Sequence, residues 1–263
     1  MTPRRTIFVT GAGSGIGRAI ALHFGHQGWF VGLGDNDPDR MYETERMLPG
    51  GYSYAYWMDV RRRDEWDDAL RVVARASGGQ IDVVANNAGV AESGTLMDLS
   101  DEQVEHELSV NLSGAIHGAR AAYRYLKETA PGSCLVNTSS ASGLYGVPGL
   151  NVYGATKAAL KSLSESLDAE WAADGIRVRC LMPGFVDTPL LDGHIGPVTV
   201  RDHLKALGLE VLSPEQVAQA AWDAVHGDKL HWPVGKDARR LTFAARWLPG
   251  RLRRQMRQVA AKG

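Results

Sequence analysis

The sequence predicts an α/β fold in which helices cover both faces of a parallel sheet. Short apolar segments alternate with longer segments of helical periodicity along most of the chain. The apolar segments are continuous, which is typical of strands that are buried on both faces, and such strands form parallel sheets. No repeat, low-complexity segment or Pro/Gly/Ser-rich linker divides residues 1–263, so we expect a single domain.

Seven segments are predicted to be strands because each is a short apolar run bounded by turn residues. They are TIFVT (6–10), FVGLG (30–34), YSYAYWMDV (52–60), IDVVANNAG (81–89, a strand into a turn), SCLVNTSS (133–140), IRVRCLMPG (176–184) and LHWPVG (230–235). Four segments are predicted to be helices because their apolar residues recur with helical spacing. They are 17–27, the amphipathic 63–77, one long helix over 102–128, and 153–174.

Composition excludes several classes of protein. The net charge of −1 gives no general indication of nucleic-acid binding. Cys134 and Cys180 lie in apolar runs without metal-type spacing, so we expect reduced core cysteines and no metal site. The first apolar strand begins by Thr6, which leaves no room for a signal peptide, and no stretch is apolar for the ~18–20 residues of a membrane span. We therefore expect a soluble, cytoplasmic protein.

A glycine-rich turn, TGAGSGIG, joins the first strand to the first helix. Gly11 permits a sharp turn, Gly15 lets the backbone approach a pyrophosphate, and Gly17 allows close helix–strand packing. The free N–H groups of the helix N-terminus favour phosphate. We assign cofactor contacts to Gly11, Gly13, Ser14, Gly15, Ile16 and Gly17. The alternative is an ordinary tight turn, since the spacing is G-x-x-x-G-x-G.

Further candidate cofactor residues follow the second, third and fourth strands. Asp35 ends the second strand, where a carboxylate accepts hydrogen bonds from the adenosine ribose hydroxyls and repels a 2′-phosphate, which favours NAD over NADP. Asp37 and Asp39 are expected in a solvated turn. The third strand is expected to end at Asp59-Val60, where Asp59 can contact the adenine amino group or instead cap a helix. Small residues after the fourth strand leave room for a flat ligand; they include Asn87, Ala88 and Gly89.

Taken together, these segments resemble the short-chain dehydrogenase/reductase family. The matching motifs are TGAGSGIG (10–17), DV (59–60), NNAG (86–89), VN (110–111), NTSSASG (137–143), YGATK (153–157) and PGFVDTP (183–189). The resemblance implies a Rossmann-like, doubly wound sheet with a dinucleotide across its carboxyl edge. It also implies an active site made by Asn111, Ser140, Tyr153 and Lys157.

The family spacing places the active-site serine thirteen residues before the tyrosine, which selects Ser140 over Ser139. Ser142 is then either a substrate-side residue or a turn residue. The turn after the sixth strand contacts the nicotinamide side in the family, which assigns Pro183, Gly184, Val186 and Thr188 to the cofactor. Thr188 is alternatively a helix cap.

The proposed chemistry needs a proton transfer at the substrate oxygen. A free tyrosine has a pKa near ~10, too high for an efficient base at neutral pH. Lys157, one helical turn away, is expected to favour the phenolate of Tyr153 and to hold the nicotinamide ribose. Ser140 can hydrogen-bond the substrate oxygen and stabilise charge developing there. Asn111, in mid-helix, can hold a backbone-bound water that connects Lys157 to solvent.

The leading hypothesis is an NAD-dependent oxidoreductase that transfers hydride between a secondary alcohol or ketone and nicotinamide. The alternatives are a non-redox enzyme of the same fold, such as an epimerase or dehydratase, and an NAD-binding regulatory protein. Residues 190–212 take the place of the family's substrate lid, and their apolar character favours a bulky or hydrophobic substrate. The resemblance also implies a homo-oligomer, either a tetramer or a dimer.

The C-terminal residues 236–263 form a basic extension, expected as two helical pieces broken at Pro249-Gly250. From Lys229 onward there are ten Lys/Arg and one acid, which leaves nineteen basic and twenty-nine acidic residues before it. A −10 body thus carries a +9 tail. A basic amphipathic helix can contact an anionic membrane surface. Packing on the acidic body or on a sister subunit is the favoured alternative.

Overall fold

The structure is a computed structural model that describes residues 4–260 except 193, 196, 197 and 207. Its strands are β1 (Thr6–Thr10), β2 (Phe30–Asp35), β3 (Ser53–Trp57), β4 (Val83–Asn86), β5 (Cys134–Thr138), β6 (Arg177–Pro183), β7 (Phe185–Val186), β8 (His194–Ile195), β9 (Val198–Thr199), β10 (Val211–Leu212) and β11 (His231–Val234). Seven of them form one parallel sheet in the order β11-β6-β5-β4-β1-β2-β3. All seven predicted sheet strands are therefore confirmed.

Ten α-helices lie in the described part of the chain. They are α1 (Gly15–His26), α2 (Pro38–Met47), α3 (Arg63–Ala76), α4 (Asp101–Leu108), α5 (Gly114–Glu128), α6 (Asn151–Trp171), α7 (Val200–Ala206), α8 (Pro214–His226), α9 (Lys236–Trp247) and α10 (Pro249–Ala260). One hydrophobic cluster packs α1 and α8 on one face of the sheet, and a second packs α3 and α5 on the other. The doubly wound architecture is confirmed.

The third strand is shorter than the sequence predicts. It ends at Trp57 and not at Asp59-Val60. The backbone N–H of Met58 still donates to Asp35 O, at 2.9 Å, but the N–H of Asp59 donates to the Glu65 carboxylate at 2.7 Å. A side chain of the following helix therefore replaces the next bond to the sheet, and the ladder stops.

Three helices were absent from the sequence prediction: α2, α7 and α8, of which α2 and α8 begin at clear capping residues. Asp37 is not in a solvated turn, because its carboxylate caps α2 by accepting from Arg40 N at 3.1 Å, with Pro38 in the first turn. Helix α8 begins at a capping box formed by Ser213 and Gln216. Both starts carry recognisable capping residues, but the apolar pattern of each segment is weak.

The long helix predicted over 102–128 contains a π-helical turn. Residues Ser109–Ser113 separate α4 from α5, and Gly114 N donates to Ser109 O, five residues earlier. Such a turn inserts one residue into a helix and frequently marks a functional position. Asn111 lies at its centre.

The remaining short strands lie outside the seven-stranded sheet. Strands β7 and β10 pair in parallel, and β8 and β9 form a small antiparallel pair. Helices α9 and α10 occupy the two helical segments predicted for the tail, with Pro249 opening the second. Within the described residues, no helix has both the length and the apolar content to cross a membrane.

Candidate active site

The predicted site residues converge at the carboxyl edge of the sheet. Strands β1 and β4 are neighbours, yet the chain leaves them in opposite directions, toward β2 and toward β5. Ligands of open α/β sheets bind in the crevice at such a switch point. The glycine-rich turn follows β1, and the segment NNAG follows β4, so both border this crevice.

The glycine-rich turn needs its glycines for conformation and for space. Gly11 and Gly15 have φ of 65° and 50°, a region that side chains disfavour. A Cβ on Gly17 would overlap Gly11 O and lie 2.6 Å from Asn87 Nδ2. Ser14 makes no side-chain cap bond to α1, so no side chain occupies the first N–H groups of that helix. The turn therefore presents backbone donors to the crevice.

Asp35 lies beside this turn, at the end of β2. Its carboxylate accepts from Gly13 N at 2.7 Å and from Asp37 N at 2.9 Å. Both bonds hold the carboxylate at the carboxyl edge of the sheet. Arg40 also lies close, since a Cβ on Gly13 would be 3.1 Å from the Cβ of Arg40. Sequence reasoning missed this cation because it belongs to the unpredicted helix α2.

Asn87 fastens the end of β4 to its neighbours. Its side-chain amide donates to Thr10 O at 3.0 Å, and its carbonyl accepts from Thr138 Oγ1 at 3.2 Å. The backbone N–H groups of Asn87 and Ala88 both donate to Thr10 Oγ1. These bonds fix the segment between β1 and β5 and leave Gly89 beside the active-site residues.

Tyr153 and Lys157 lie one turn apart near the start of α6. The Nζ atom of Lys157 is 5.5 Å from the Tyr153 ring centroid and donates to Thr138 O at 2.9 Å. Ser140 follows β5, and its hydroxyl accepts from Ser142 Oγ at 3.0 Å. Ser139 turns the other way and donates to Lys157 O at 2.7 Å. The structure thus brings Ser140 to the tyrosine and uses Ser139 for packing α6 on β5.

Burial dominates the protonation of this cluster. Desolvation raises the pKa of Tyr153 to about 12, a hydrogen bond with Ser140 opposes that rise, and Glu107 adds to it. Desolvation also lowers the pKa of Lys157 to about 8. The expectation that Lys157, together with the charge of bound NAD⁺, favours the phenolate stays a prediction, because burial of Tyr153 acts in the opposite direction. A positive charge bound beside Tyr153 would oppose the rise in its pKa.

Asn111 is buried, and both polar atoms of its side-chain amide form hydrogen bonds. Its Oδ1 atom accepts from Val90 N at 2.9 Å, while Nδ2 donates to Val90 O at 2.8 Å and to Thr156 Oγ1 at 3.2 Å. A Cβ on Gly89 would meet Asn111 Oδ1 at 3.1 Å and Lys157 Nζ at 3.3 Å. The side chain therefore joins the loop after β4 to α6, directly beside the lysine.

The other predicted residues border the crevice less closely. Thr188 lies against the glycine-rich turn, where a Cβ on Gly15 would be 2.9 Å from its Cγ2. Val186 lies in β7, Pro183 ends β6, and Gly184 N donates to Val234 O at 3.2 Å.

Asp59 does not cap α3, because its carboxylate forms an ion pair with Arg61 at 2.5 Å. Val60 packs against Gly114.

The short chain dehydrogenase family model matches residues 5–194 of the 263 residues. The chain belongs to the short-chain dehydrogenase family. Among its relatives are the probable oxidoreductase EphD of Mycobacterium tuberculosis, 34% identical over 259 residues, and the 3-oxoacyl-[acyl-carrier-protein] reductase FabG of Thermotoga maritima, 33% identical over 191 residues. The second alignment covers 72% of this chain and 76% of the relative.

A solved structure has the same architecture as this short-chain dehydrogenase. The 3-ketoacyl-(acyl-carrier-protein) reductase of Brucella melitensis, complexed with NADH, matches with a TM-score of 0.76 at 25% identity. The match covers 87% of this chain and 95% of the reductase. The EphD alignment covers 94% of this chain but only 44% of the relative, so the chain spans less than half the length of EphD.

Glu107 is a buried carboxylate of this short-chain dehydrogenase that sequence reasoning did not identify. It lies on α4 one turn before Asn111 and is fully buried. Its Oε1 atom accepts from Glu92 N at 3.1 Å, whereas Oε2 has no hydrogen-bond partner among the described residues. Desolvation raises its pKa, the Glu92 N–H and the Lys157 charge oppose the rise, and the Glu92 charge adds to it. The only signal in the sequence was an acidic residue at a position of the predicted helix that is buried in the structure.

The Glu107→Gln variant is expected to gain stability relative to the wild type, and this gain should grow as the pH rises. With a raised pKa, folded Glu107 binds a proton at pH values where the unfolded chain has lost it, so wild-type stability falls as the pH rises from about 4. Glutamine removes that loss. Urea unfolding at several pH values measures the difference, with the exposed Glu105→Gln of the same helix as control. A difference that is independent of pH, or equal in the two variants, would contradict the raised pKa.

Proposed function

We propose that this short-chain dehydrogenase transfers hydride between a secondary alcohol or ketone and NAD. The observation that carries the proposal is the cluster of Ser140, Tyr153 and Lys157 at the carboxyl edge of the sheet, beside a glycine-lined crevice. The family and the NADH-bound reductase of the same fold support it. Regulatory binding alone gives no reason for a tyrosine and a serine hydroxyl to converge beside a buried lysine.

The residues of the crevice fit a dinucleotide. The uncapped N-terminus of α1 would hold the pyrophosphate, and the positive φ of Gly11 and Gly15 keeps side chains away from it. Asp35 would bind the adenosine ribose, because its carboxylate already lies where the turn begins. Asp59 and Val60 would border the adenine, whereas Pro183, Gly184, Val186 and Thr188 would border the nicotinamide. When bound, nicotinamide supplies the hydride acceptor for oxidation or the donor for reduction.

In this proposal, side chains of the protein carry out the proton transfer at the substrate oxygen. In oxidation, Tyr153 takes the proton of the substrate hydroxyl, and in reduction it returns a proton to the oxygen. Ser140 donates a hydrogen bond to the same oxygen and stabilises the charge that develops there. Lys157 would bind the nicotinamide ribose and place its charge beneath the tyrosine. Burial holds the pKa of free Tyr153 near 12, so proton removal depends on the filled site.

The substrate we propose is bulky or hydrophobic, with residues 190–212 as its lid. The lid is fastened by Arg201, which contacts Asp187 at 2.6 Å, Asp192 at 2.8 Å and Thr188 O at 3.1 Å. Residues 193, 196, 197 and 207 of this segment lie outside the described residues. Ser142 is a substrate-side residue in this proposal. Domain 1–263 acts as one catalytic unit, and we propose a homo-oligomer.

A panel of secondary alcohols tested with NAD⁺ and NADP⁺ checks the reaction. We expect absorbance from reduced cofactor with NAD⁺ and at least one bulky alcohol. If neither the alcohols nor the corresponding ketones react, while NAD still binds, the regulatory alternative gains support. Racemisation or water loss without net cofactor reduction would support a non-redox enzyme of this fold.

Replacing Asp35 by serine is expected to shift cofactor preference toward NADP. The substitution removes the charge that repels a 2′-phosphate and exposes that position to Arg40, whose stem is next to Gly13. We expect the ratio of kcat/KM for NADP⁺ to that for NAD⁺ to rise by roughly 100-fold, since each lost or gained charged contact is worth ~1.5–3 kcal/mol. Asp39→Ser, on the adjacent helix, is the control. An unchanged ratio would contradict the role of Asp35.

A further inference from the structure

The helix α9 exposes a face of aromatic and cationic side chains. At about 100° per residue, Phe243 and Trp247 lie at its centre, and their exposed fractions are 60% and 62%. Cations surround the two rings: Arg239 and Arg246 lie on one side, Arg240 on the other, and Lys236 in line with the rings at the start of the helix. Arg246 stands 5.3 Å from the Trp247 ring centroid. The only acid of α9, Asp237, lies about 100° from the centre of this face, where it accepts from Glu210 N and pairs with Arg240.

Helix α10 extends this cationic surface. Its apolar stripe contains Leu252, which is 5% exposed, followed by Met256 and by Val259, which is 43% exposed. Helix α10 packs on α9. Four arginines occupy the remainder of its circumference: Arg251, Arg253, Arg254 and Arg257. Leu248, at the corner between the helices, is 41% exposed beside the aromatic face.

The tail does not neutralise its charge against the acidic body. Among the described residues, the ion pair of Arg240 with Asp237, at 3.5 Å, is the one formed by a tail arginine, and both partners belong to the tail. Of the two favoured alternatives, packing on the protein's own acidic body or on a sister subunit, the first therefore has no ion pair among the described residues to support it. The face of α9 offers charge and aromatic area, and its one carboxylate, that of Asp237, is already paired with Arg240.

We propose that the exposed surface of α9 and α10, defined by Phe243, Trp247, Leu248 and the surrounding cations, binds an anionic phospholipid surface. Aromatic rings are favoured at the depth of lipid headgroups, and arginines beside them pair with lipid phosphates. Basic side chains near an anionic leaflet add attraction without requiring specific partners. An arrangement of central aromatics with cations on both sides meets these requirements.

The surface is connected to the site of the proposed reaction. Helix α9 contacts the turn Ala141–Gly143, which carries Ser142. The end of the lid is fastened to the same helix, because Lys236 N donates to Glu210 Oε2 at 2.7 Å. Binding through α9 would hold the substrate side close to a lipid surface. This consequence rests on the proposed function and points to alcohols or ketones that partition into membranes.

Co-sedimentation of the full chain with vesicles tests the proposal without cofactor or substrate. We expect binding to equimolar phosphatidylglycerol and phosphatidylcholine, weaker binding as salt rises, and none to phosphatidylcholine alone. Arg239→Gln with Arg246→Gln is expected to weaken partitioning by roughly 25-fold, since a cation near an anionic surface contributes about fivefold. Phe243→Ser with Trp247→Ser is expected to weaken it at least about tenfold.

Matched changes elsewhere on the surface serve as controls. Trp57→Ser removes a ring of 56% exposure on β3, and Arg75→Gln with Arg120→Gln removes two exposed cations from α3 and α5. We expect these variants to bind vesicles as the wild type does. No binding at low salt, equal binding to neutral vesicles, or equal losses in tail and control variants would overturn the proposal. So would tail variants that change only the oligomeric state in ultracentrifugation, since the surface would then bind a second copy.

Discussion

Tyr153→Phe is expected to lower kcat/KM for alcohol oxidation by roughly 1000-fold, the middle of the range for a lost general acid or base. The substitution removes the tyrosine hydroxyl, which interacts with Ser140 and lies one helical turn from Lys157. It keeps the ring and therefore the packing of the buried cluster. We expect the dissociation constant for NADH to change by less than about twofold, because the hydroxyl is proposed to act on the substrate and not on the cofactor.

Two other hydroxyl deletions control this experiment. Tyr54→Phe removes a phenol from the edge strand β3 and is expected to leave the rate unchanged. Ser139→Ala removes the serine that bonds Lys157 O and should affect stability more than rate. Wild-type activity in Tyr153→Phe, or equal losses in Tyr54→Phe, would rule out the proposed acid–base role.

Gly17→Ala is expected to lower the free energy of unfolding by about 3 kcal/mol, at the upper end for an overpacked site. The added Cβ would overlap Gly11 O, a backbone atom that cannot move without displacing the glycine-rich turn. Because the turn carries the proposed pyrophosphate site, NADH affinity should fall as well, by at least about tenfold. Chemical denaturation and a fluorescence titration with NADH measure the two effects.

Gly50→Ala is the matched control, since nothing lies within 4 Å of a Cβ at that position and its φ is not positive. We expect its stability and NADH affinity to equal those of the wild type. If Gly17→Ala matched Gly50→Ala in both measurements, the close packing of α1 on β1 would not be needed for stability or for NADH binding.

The sheet was predictable from sequence because its strands are continuous apolar runs. Burial on both faces leaves such a pattern, and the punctuating glycines separate one run from the next. Helix α2 was not predictable in the same way, since only Met41 and Thr44 of its ten residues are buried. Its start is encoded by a cap and a proline, which set where a helix begins but not that it continues. The end of β3 depends on the hydrogen bond from Asp59 N to the Glu65 side chain, which no local sequence pattern predicts.

The convergence of the candidate site residues was predictable from sequence, but their electrostatics were not. The order and spacing of motifs indicated Ser140, Tyr153 and Lys157, whereas burial of the cluster became visible only in three dimensions. Desolvation outweighs the lysine and moves the pKa of Tyr153 upward. Glu107 escaped notice because an acid in a helix is usually exposed, whereas this one is fully buried on α4, which packs on α6.

The most direct measurement of the central claim is the pH dependence of kcat/KM for alcohol oxidation at saturating NAD⁺. Oxidation requires deprotonated Tyr153, so the rate should rise with pH through one ionisation. The positive charge of the bound nicotinamide and of Lys157 should place that ionisation well below the value of about 12 that burial sets in the free chain. A profile that rises in this way in the wild type and is absent from the residual activity of Tyr153→Phe is the predicted result. A profile without such an ionisation, or the same profile in both proteins, would contradict the account.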